Sequence, residues 1–433
     1  MSEDRGYKRR LPAGMFDAGF ASLATFAAGL VAVNQLGDTD RGVYAVYFTA
    51  FLLGTVLPRN LIFTPAEVRA VAFPVEARLK LLPWSLTLGT GPAVLGASSV
   101  LIAAAVTAPY ATSEILIPLA VTSALATVLS PLQDHVRKML HMATMSWQAT
   151  AVSIAQFVSV TMAIGAMLAL DTNRAWIPFG ALAIANAVSL TFSWIVVRLS
   201  GSLAPPQRLH FWELASKGKW LIVQASGSAI AGFTVAVIIS WLAGPDALGF
   251  AESARVVAQP ILVLAAGLTA VLAPRSMRAG MDGDERTARR TSRIYLWIVG
   301  LAGVGYMAIA GWDWFLNPMS HIVPSAYSVS GLVALTVAAN IVIAAVFLQI
   351  NELLGAHKER ALARISWSVA PVLLLGGLTA GVTGAFARPL GMLGQAATRY
   401  AVQEHELRSV YRPEPWTAHE VESRGTSAGF DGE

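Results

Sequence analysis

The sequence predicts an all-α polytopic membrane protein: twelve transmembrane helices in two six-helix lobes, related by a pseudo-two-fold axis along the membrane normal. Three observations predict it. Only 13% of the 433 residues are charged and 55% are hydrophobic, whereas a soluble domain carries about 25% charged residues. The apolar residues fall in runs of about 20, the length that crosses a bilayer. A pattern near the start of the chain also returns in its second half.

Twelve runs are legible as spans: 12–36, 41–66, 82–107, 114–134, 146–170, 175–198, 217–243, 247–274, 292–312, 325–350, 361–380 and 383–402. The first follows Arg5, Lys8, Arg9 and Arg10 with no small-residue cleavage motif close behind, so it reads as a span rather than a removable leader. The stretches Gly37–Arg41 and Gly244–Ala247 are short enough to make tight helical hairpins. Arg388, Gln395 and Arg399 interrupt the last run. The expected organisation is a cytoplasmic segment at 1–11, an N-lobe at 12–198, a linker at 199–216 around Pro205-Pro206, a C-lobe at 217–403 and a tail at 404–433. The segment 276–291 reads as a basic hydrophilic loop. The tail is poor in apolar residues, so disorder is expected there.

Lys and Arg mark the cytoplasmic side of membrane proteins. With the N-terminus inside, all but five of the 31 basic residues fall in cytoplasmic segments. The exceptions are Arg41, Arg59, Arg174, Arg255 and Arg388. Both ends are then cytoplasmic, in a multi-pass protein of the cytoplasmic membrane. This distribution also explains the net charge of +5 without a nucleic-acid partner.

Cysteine is absent, which excludes disulfides, thiolate metal sites and cysteine nucleophiles. The histidines lack paired metal-ligand spacing, and no glycine-rich loop ends in Gly-Lys-Ser/Thr. No metal, cofactor, nucleotide hydrolysis or catalytic residue is expected. Energy for any work comes from an ion gradient, from the membrane potential or from consumption of the product.

The internal echo starts at Asp17 and Gly37–Gly42 and returns at Gln224 and Gly244–Gly249, an offset of 207. Pro58-Arg59 returns as Pro274-Arg275, and Leu132-Gln133 as Leu348-Gln349, both at an offset of 216. One nine-residue insertion in the second half reconciles the two registers. Six helices followed by six of the same pattern, entered from the same side, make parallel repeats about an axis normal to the membrane.

The order Phe16-Asp17-Ala18-Gly19, then Leu36-Gly37-Asp38-Thr39-Asp40-Arg41-Gly42-Val43-Tyr44-Ala45, then Pro131-Leu132-Gln133-Asp134-His135 at the end of the fourth span, resembles the polysaccharide flippase branch of the multidrug/oligosaccharidyl-lipid/polysaccharide (MOP) exporter superfamily. The resemblance covers most of residues 10–403, and its motifs mark the fold better than the substrate. It implies alternating access between two lobes that move a lipid-linked oligosaccharide across the cytoplasmic membrane. Membrane lipids, and a glycan polymerase or glycosyltransferases, are the partners it implies, with a monomer as the working unit.

Charges within a bilayer usually face a cavity or a partner. Asp17, in the first span, is the ion-coupling candidate, as a first-helix Asp is in the related drug exporters; the alternative is pairing near the interface. Glu252, Arg255 and Gln259 share one face of the eighth span by their spacing. Such a set suits a sugar–pyrophosphate headgroup, or simply stabilises the helix. Arg59 follows Pro58, and Arg388 precedes Pro389. Both either line the pathway or reach a surface. Gln224 matches Asp17 in the repeat and supplies an amide for sugar hydroxyls. The Gln133–Lys138 cluster is expected either to meet Asn351–Arg360, its repeat counterpart, as a gate or to be a solvated helix end.

Isolated intramembrane charges here are mostly Arg, which tips the reading toward an anionic substrate. A cation-coupled multidrug antiporter of the same superfamily stays open. So does a membrane glycosyltransferase or ligase of the same pathway, although no predicted outer loop is long.

Overall fold

A computed structural model describes residues 10–36, 38–109, 111–200, 208–312, 317 and 329–411; a few helix side chains, that of Glu252 among them, lie outside the description. Among the described residues there are twelve long helices and no strand. The first six are α1 (Leu11–Gln35), α2 (Asp38–Pro58), α3 (Leu82–Thr107), α4 (Ser113–Met142), α5 (Ser146–Ala169) and α6 (Ile177–Leu199). The second six are α7 (Phe211–Ala243), α8 (Pro245–Asp282), α9 (Glu285–Ala310), α10 (Leu332–Gly355), α11 (Glu359–Leu378) and α12 (Ala387–Tyr411). Each expected span has its helix. Eight helices are long and apolar enough to cross a membrane over their described residues.

Several helices overrun the expected spans, α4 reaching Met142 and α7 starting at Phe211 inside the expected linker; two further boundaries differ for clear local reasons. The basic stretch 276–291 is almost wholly helical. Gly283, at φ 66, takes the left-handed conformation that closes α8. Asp284 follows at once and caps α9, accepting a 3.1 Å bond from the Thr287 amide. The charges there ride on helix ends as spaced pairs, Arg278 with Asp282 at 3.3 Å and Arg289 with Glu285 at 2.7 Å. The twelfth helix also sits later than 383–402. A short turn of helix (Ala380–Thr383) and a 3₁₀ turn (Gly384–Phe386), entered through Gly384 at φ 57, precede Ala387. Pro389 then falls in the first turn, where a proline is tolerated. Arg388 becomes a helix-start residue, and α12 carries residues 404–411 as helix. The rest of the expected tail, 412–433, lies outside the described residues, as do 201–207 of the expected linker.

The repeat is visible in which helix packs on which. In the first half α1 lies on α5, α2 on α3 and α4, α3 on α4, and α6 on α4 and α5. In the second half α7 lies on α11, α8 on α9 and α10, α9 on α10, and α12 on α10 and α11. Adding six to each helix number converts one list into the other. The halves are therefore two parallel six-helix lobes about a pseudo-two-fold axis. The contacts between them obey the same axis, α1 against α8 and α7 against the end of α2.

These inter-lobe contacts lie at the end of the bundle that carries Arg10, Arg137, Arg278 and Lys358, called here the basic end. Gly14 of α1 and Gly267 of α8 bring their backbones together, so a Cβ on either would strike the other's carbonyl. Gly218 of α7 meets the Leu61 carbonyl in the same way. Arg69 pairs with Glu213, and the Arg278 guanidinium donates to the Val71 carbonyl at 3.3 Å. One apolar core fills this end and draws on both lobes, with Ile62, Phe63 and Leu140 from the first and Leu214, Met277 and Leu353 from the second.

Leu61 belongs to a π turn (Arg59–Phe63) that joins α2 to a short helix, Thr64–Val71. Pro58 has no N–H for the Gly54 carbonyl, and Gly96 of α3 lies against that carbonyl instead. The hydrogen-bond ladder widens just beyond this break, as π turns do. The aligned Pro274 of α8 sits inside a continuous α-helix.

Candidate functional site

A cluster of charges lies on the basic end of α4. Asp134, Arg137 and His141 are spaced so that they share one helical face. Across from them, α1 presents Asp17, and α5 presents Ser153. Asp17 is 2% exposed, yet every side of its carboxylate is engaged. The Ser153 hydroxyl donates to Oδ1 at 2.5 Å, and His141 Nε2 lies 2.9 Å from Oδ2. Arg137 Nη1 lies 3.5 Å from Oδ1. A carboxylate in hydrocarbon survives only with such partners.

The network extends from there. Arg137 donates to Asp134 at 2.5 Å, and Lys138 reaches the other Asp134 oxygen at 3.2 Å. Arg59, the first residue of the π turn, is exposed and stands within electrostatic reach of Asp134. His141 Nδ1 bonds Ser146 at 3.1 Å, and the Thr150 hydroxyl donates to the Ala13 carbonyl at 2.8 Å. Three fixed cations thus face two carboxylates.

A second buried chain lies beside it. Glu67 Oε1 is 3.1 Å from His135 Nδ1, and His135 Nε2 is 2.8 Å from Ser85 Oγ. Phe63 stacks on the His135 ring at 4.3 Å. The three polar residues are each less than 5% exposed, so no solute reaches the serine. The chain ties α3, α4 and the Thr64–Val71 helix into one unit.

The structure brings some sequence candidates together and separates others. Asp17 and Arg59, expected at separate sites, are linked only through Asp134, which shares Arg137 with Asp17 and feels the Arg59 charge. Arg255 and Arg388 are both half-buried and lie on elements that meet, because Ala254 and Ala385 share a small core with Leu332 at the other end of the second lobe. Gln259 is exposed one turn along α8 from Arg255. The Glu252 side chain lies outside the described residues. Gln224 stands apart on α7, half-buried, and its backbone carbonyl accepts from Ser366 at 2.8 Å. The Asp134–Lys138 end and Asn351–Arg360 make no described bond to each other; Glu352 instead accepts from Tyr411 at 3.0 Å. Ser153, Glu67 and Ser85 carry no signal in the sequence pattern. The i, i+4 spacing of Arg137 and His141 was the available signal.

Outside the spans, His357 between α10 and α11 lies 3.2 Å from the Lys217 ammonium. Partial burial, then that cation, push the His357 pKa below its usual value.

No sequence-family profile matches the chain, and no curated protein matches it. Solved structures do. A MATE transporter crystallised in complex with MaD3S superposes with a TM-score of 0.77 at 12% identity, over 94% of this chain and 96% of that one. A MOP superfamily transporter from Pyrococcus furiosus, described as having a binding pocket of reverse polarity that suggests a different function, gives 0.75 at 12% identity over the same shares. An outward-facing multidrug-resistance MATE family transporter of the MOP superfamily gives 0.69 at 12% identity, over 94% and 96%. The fold of this chain is therefore that of the MATE transporters: twelve helices in two lobes.

Proposed function

We propose that this protein is a MOP-superfamily transporter that moves a lipid-linked oligosaccharide or polysaccharide precursor across the cytoplasmic membrane by alternating access. One observation carries the transport reading: the two lobes meet through symmetric helix pairs at the basic end, a seal that a rocking motion would open. The positive-inside rule puts that end in the cytoplasm. In this reading the state described is closed to the cytoplasm.

An anionic cargo is favoured by the cations. Within the Asp17–Asp134 network, Arg59, Arg137 and Lys138 outnumber the two carboxylates. Arg255 and Arg388 add two more cations at the opposite end of the second lobe. Guanidinium pairs bind pyrophosphate oxygens bidentately. Cargo entering from the cytoplasm would meet the first group, and cargo leaving would pass the second. A similar structure whose pocket is described as reversed in polarity suits this reading.

The alternative, a cation-coupled multidrug antiporter, is favoured by the buried Asp17 and by the MATE structures that the fold matches. Deletion of the gene separates the two. Accumulation of lipid-linked repeat units inside the cell, with loss of surface glycan, is the expected result. Unchanged surface glycan with raised dye sensitivity would overturn it in favour of drug efflux. Arg255→Ala and Arg388→Ala are expected to express normally and to lose glycan export. Normal export in both would remove these arginines from the pathway.

A further inference from the structure

A cavity of about 220 Å³ lies between α9, α10 and α12 at the basic end of the second lobe. α9 contributes Arg289 and Arg293, and α12 contributes Tyr400, Glu404, Arg408 and Tyr411. Gln349 and Glu352 of α10 form the floor. α9 and α12 pack on helices of their own lobe, so this cavity stands apart from the path between the lobes.

The wall's own carboxylates are already engaged. Glu352 accepts from the Tyr411 hydroxyl at 3.0 Å and from Ser276 at 3.5 Å. Glu404 accepts from the Gln349 amide at 3.3 Å and stands 3.8 Å from Arg289. Arg289 bonds Glu285 as well. Arg293 and Arg408 are exposed and form no ion pair among the described residues. Gln349 is 3% exposed, and its Oε1 has no hydrogen-bond partner. The cavity therefore offers two uncommitted guanidinium groups and one buried acceptor. A ligand that satisfies all three carries anionic oxygens and a hydroxyl.

Depth and surface identify the source. α9 has 26 residues, about 39 Å at 1.5 Å per residue, against a hydrocarbon core of about 30 Å. Its first turns therefore project into the headgroup layer, with Arg293 at the boundary. One helical face continues from Arg293 through Trp297, Leu301 and Val304, which are 68%, 65% and 56% exposed. That stripe faces acyl chains. A phosphate held by Arg293 and Arg408 leaves its chains lying along it.

We propose that this cavity binds the headgroup of an anionic, hydroxyl-bearing phospholipid from the leaflet at the basic end, with an acyl chain along Trp297, Leu301 and Val304. The assignment depends on the membrane architecture and not on the cargo. It is tested on the full chain, stripped of lipid in detergent and titrated with phosphatidylglycerol carrying brominated acyl chains. Tryptophan quenching and native mass spectrometry are the two readouts. Preference over brominated phosphatidylcholine by about tenfold is expected, since its quaternary ammonium would stand against two guanidinium groups and it has no hydroxyl to donate to Gln349. Arg293→Gln with Arg408→Gln is expected to abolish the preference. Trp297→Phe is expected to reduce quenching while bound lipid persists in the mass spectrum. Equal binding of the two lipids overturns the proposal, and so does a double variant that keeps the preference. Displacement of the lipid by millimolar inorganic phosphate also overturns it, in favour of a soluble anion. If the double variant elutes as aggregate, Arg408→Gln alone decides, with at least half the preference expected to vanish.

Discussion

Asp17 and His141, 124 residues apart in sequence, meet at 2.9 Å in the buried base of the first lobe. Ser153 and Arg137 complete the enclosure of the same carboxylate. Asp17→Asn removes the charge but keeps the shape, leaving Arg137, 15% exposed, beside a neutral amide. Breaking one side of a buried pair typically costs about 3–5 kcal/mol. A clear fall in melting temperature in detergent is the expected result. Arg137 keeps its bond to Asp134, so Asp17→Asn with Arg137→Gln is expected to lose less stability than the two single variants summed, the mark of a direct interaction between the pair. An Asp17→Asn protein as stable as wild type, yet inactive in transport, would show that the carboxylate serves coupling alone.

The glycine contact between α1 and α8 makes a different prediction. Any side chain at Gly14 or Gly267 would strike the facing backbone, so Gly267→Val is expected to push the lobes apart at the basic end. The chain has no native cysteine, which makes the readout clean. Arg69→Cys with Glu213→Cys, residues paired across the lobes, is expected to cross-link readily. Adding Gly267→Val is expected to slow that cross-link severalfold. Unchanged cross-linking with the valine in place would mean that this contact does not hold the seal.

Much of the fold was legible in the sequence, because hydrophobic length is a property of the chain itself. The echo of Gly37 in Gly244 and of Gln133 in Gln349 disclosed the two lobes for the same reason. The site was less legible. Asp17 announced itself as a charge in an apolar run, but its partners lie on α4 and α5, and only folding decides which helix stands beside α1. Arg137 and His141 were visible as a spaced pair on one helix face without anything to say what they faced. The stretch 276–291 misled because composition reports polarity. Gly283 and Asp284, a left-handed closure followed by a cap, compress the turn to two residues and leave the charges on helix ends.

His135 carries a third prediction. It joins Glu67 to Ser85 and lies under the Phe63 ring, with all three polar residues buried. His135→Ala leaves the Glu67 carboxylate and the Ser85 hydroxyl without their shared partner and removes the stacked ring. An unsatisfied buried group costs about 1–3 kcal/mol, more when charged. A strongly destabilised protein is expected, read as melting temperature or as loss of the monodisperse elution peak. Glu67→Gln with His135→Ala is expected to be less destabilised than His135→Ala alone, since the buried charge is removed with its partner. The opposite order would show that Glu67 finds another counter-charge.

His357 predicts a pH dependence in the neutral range. Partial burial and the Lys217 ammonium lower its folded-state pKa below the usual 6.5, while Glu359, 3.9 Å away, pulls the other way. The unfolded chain then binds the proton more readily than the folded one. The resulting stability is present above the unfolded value and is lost as pH falls through the folded one. The side chain is 51% exposed, so screening by water keeps the effect below about 1 kcal/mol. Melting temperature is therefore expected to decline between pH 7.5 and about pH 5.5 by a small, measurable amount. His357→Gln is expected to flatten that decline and Lys217→Gln to reduce it. A slope that survives His357→Gln intact would assign the titration to another group.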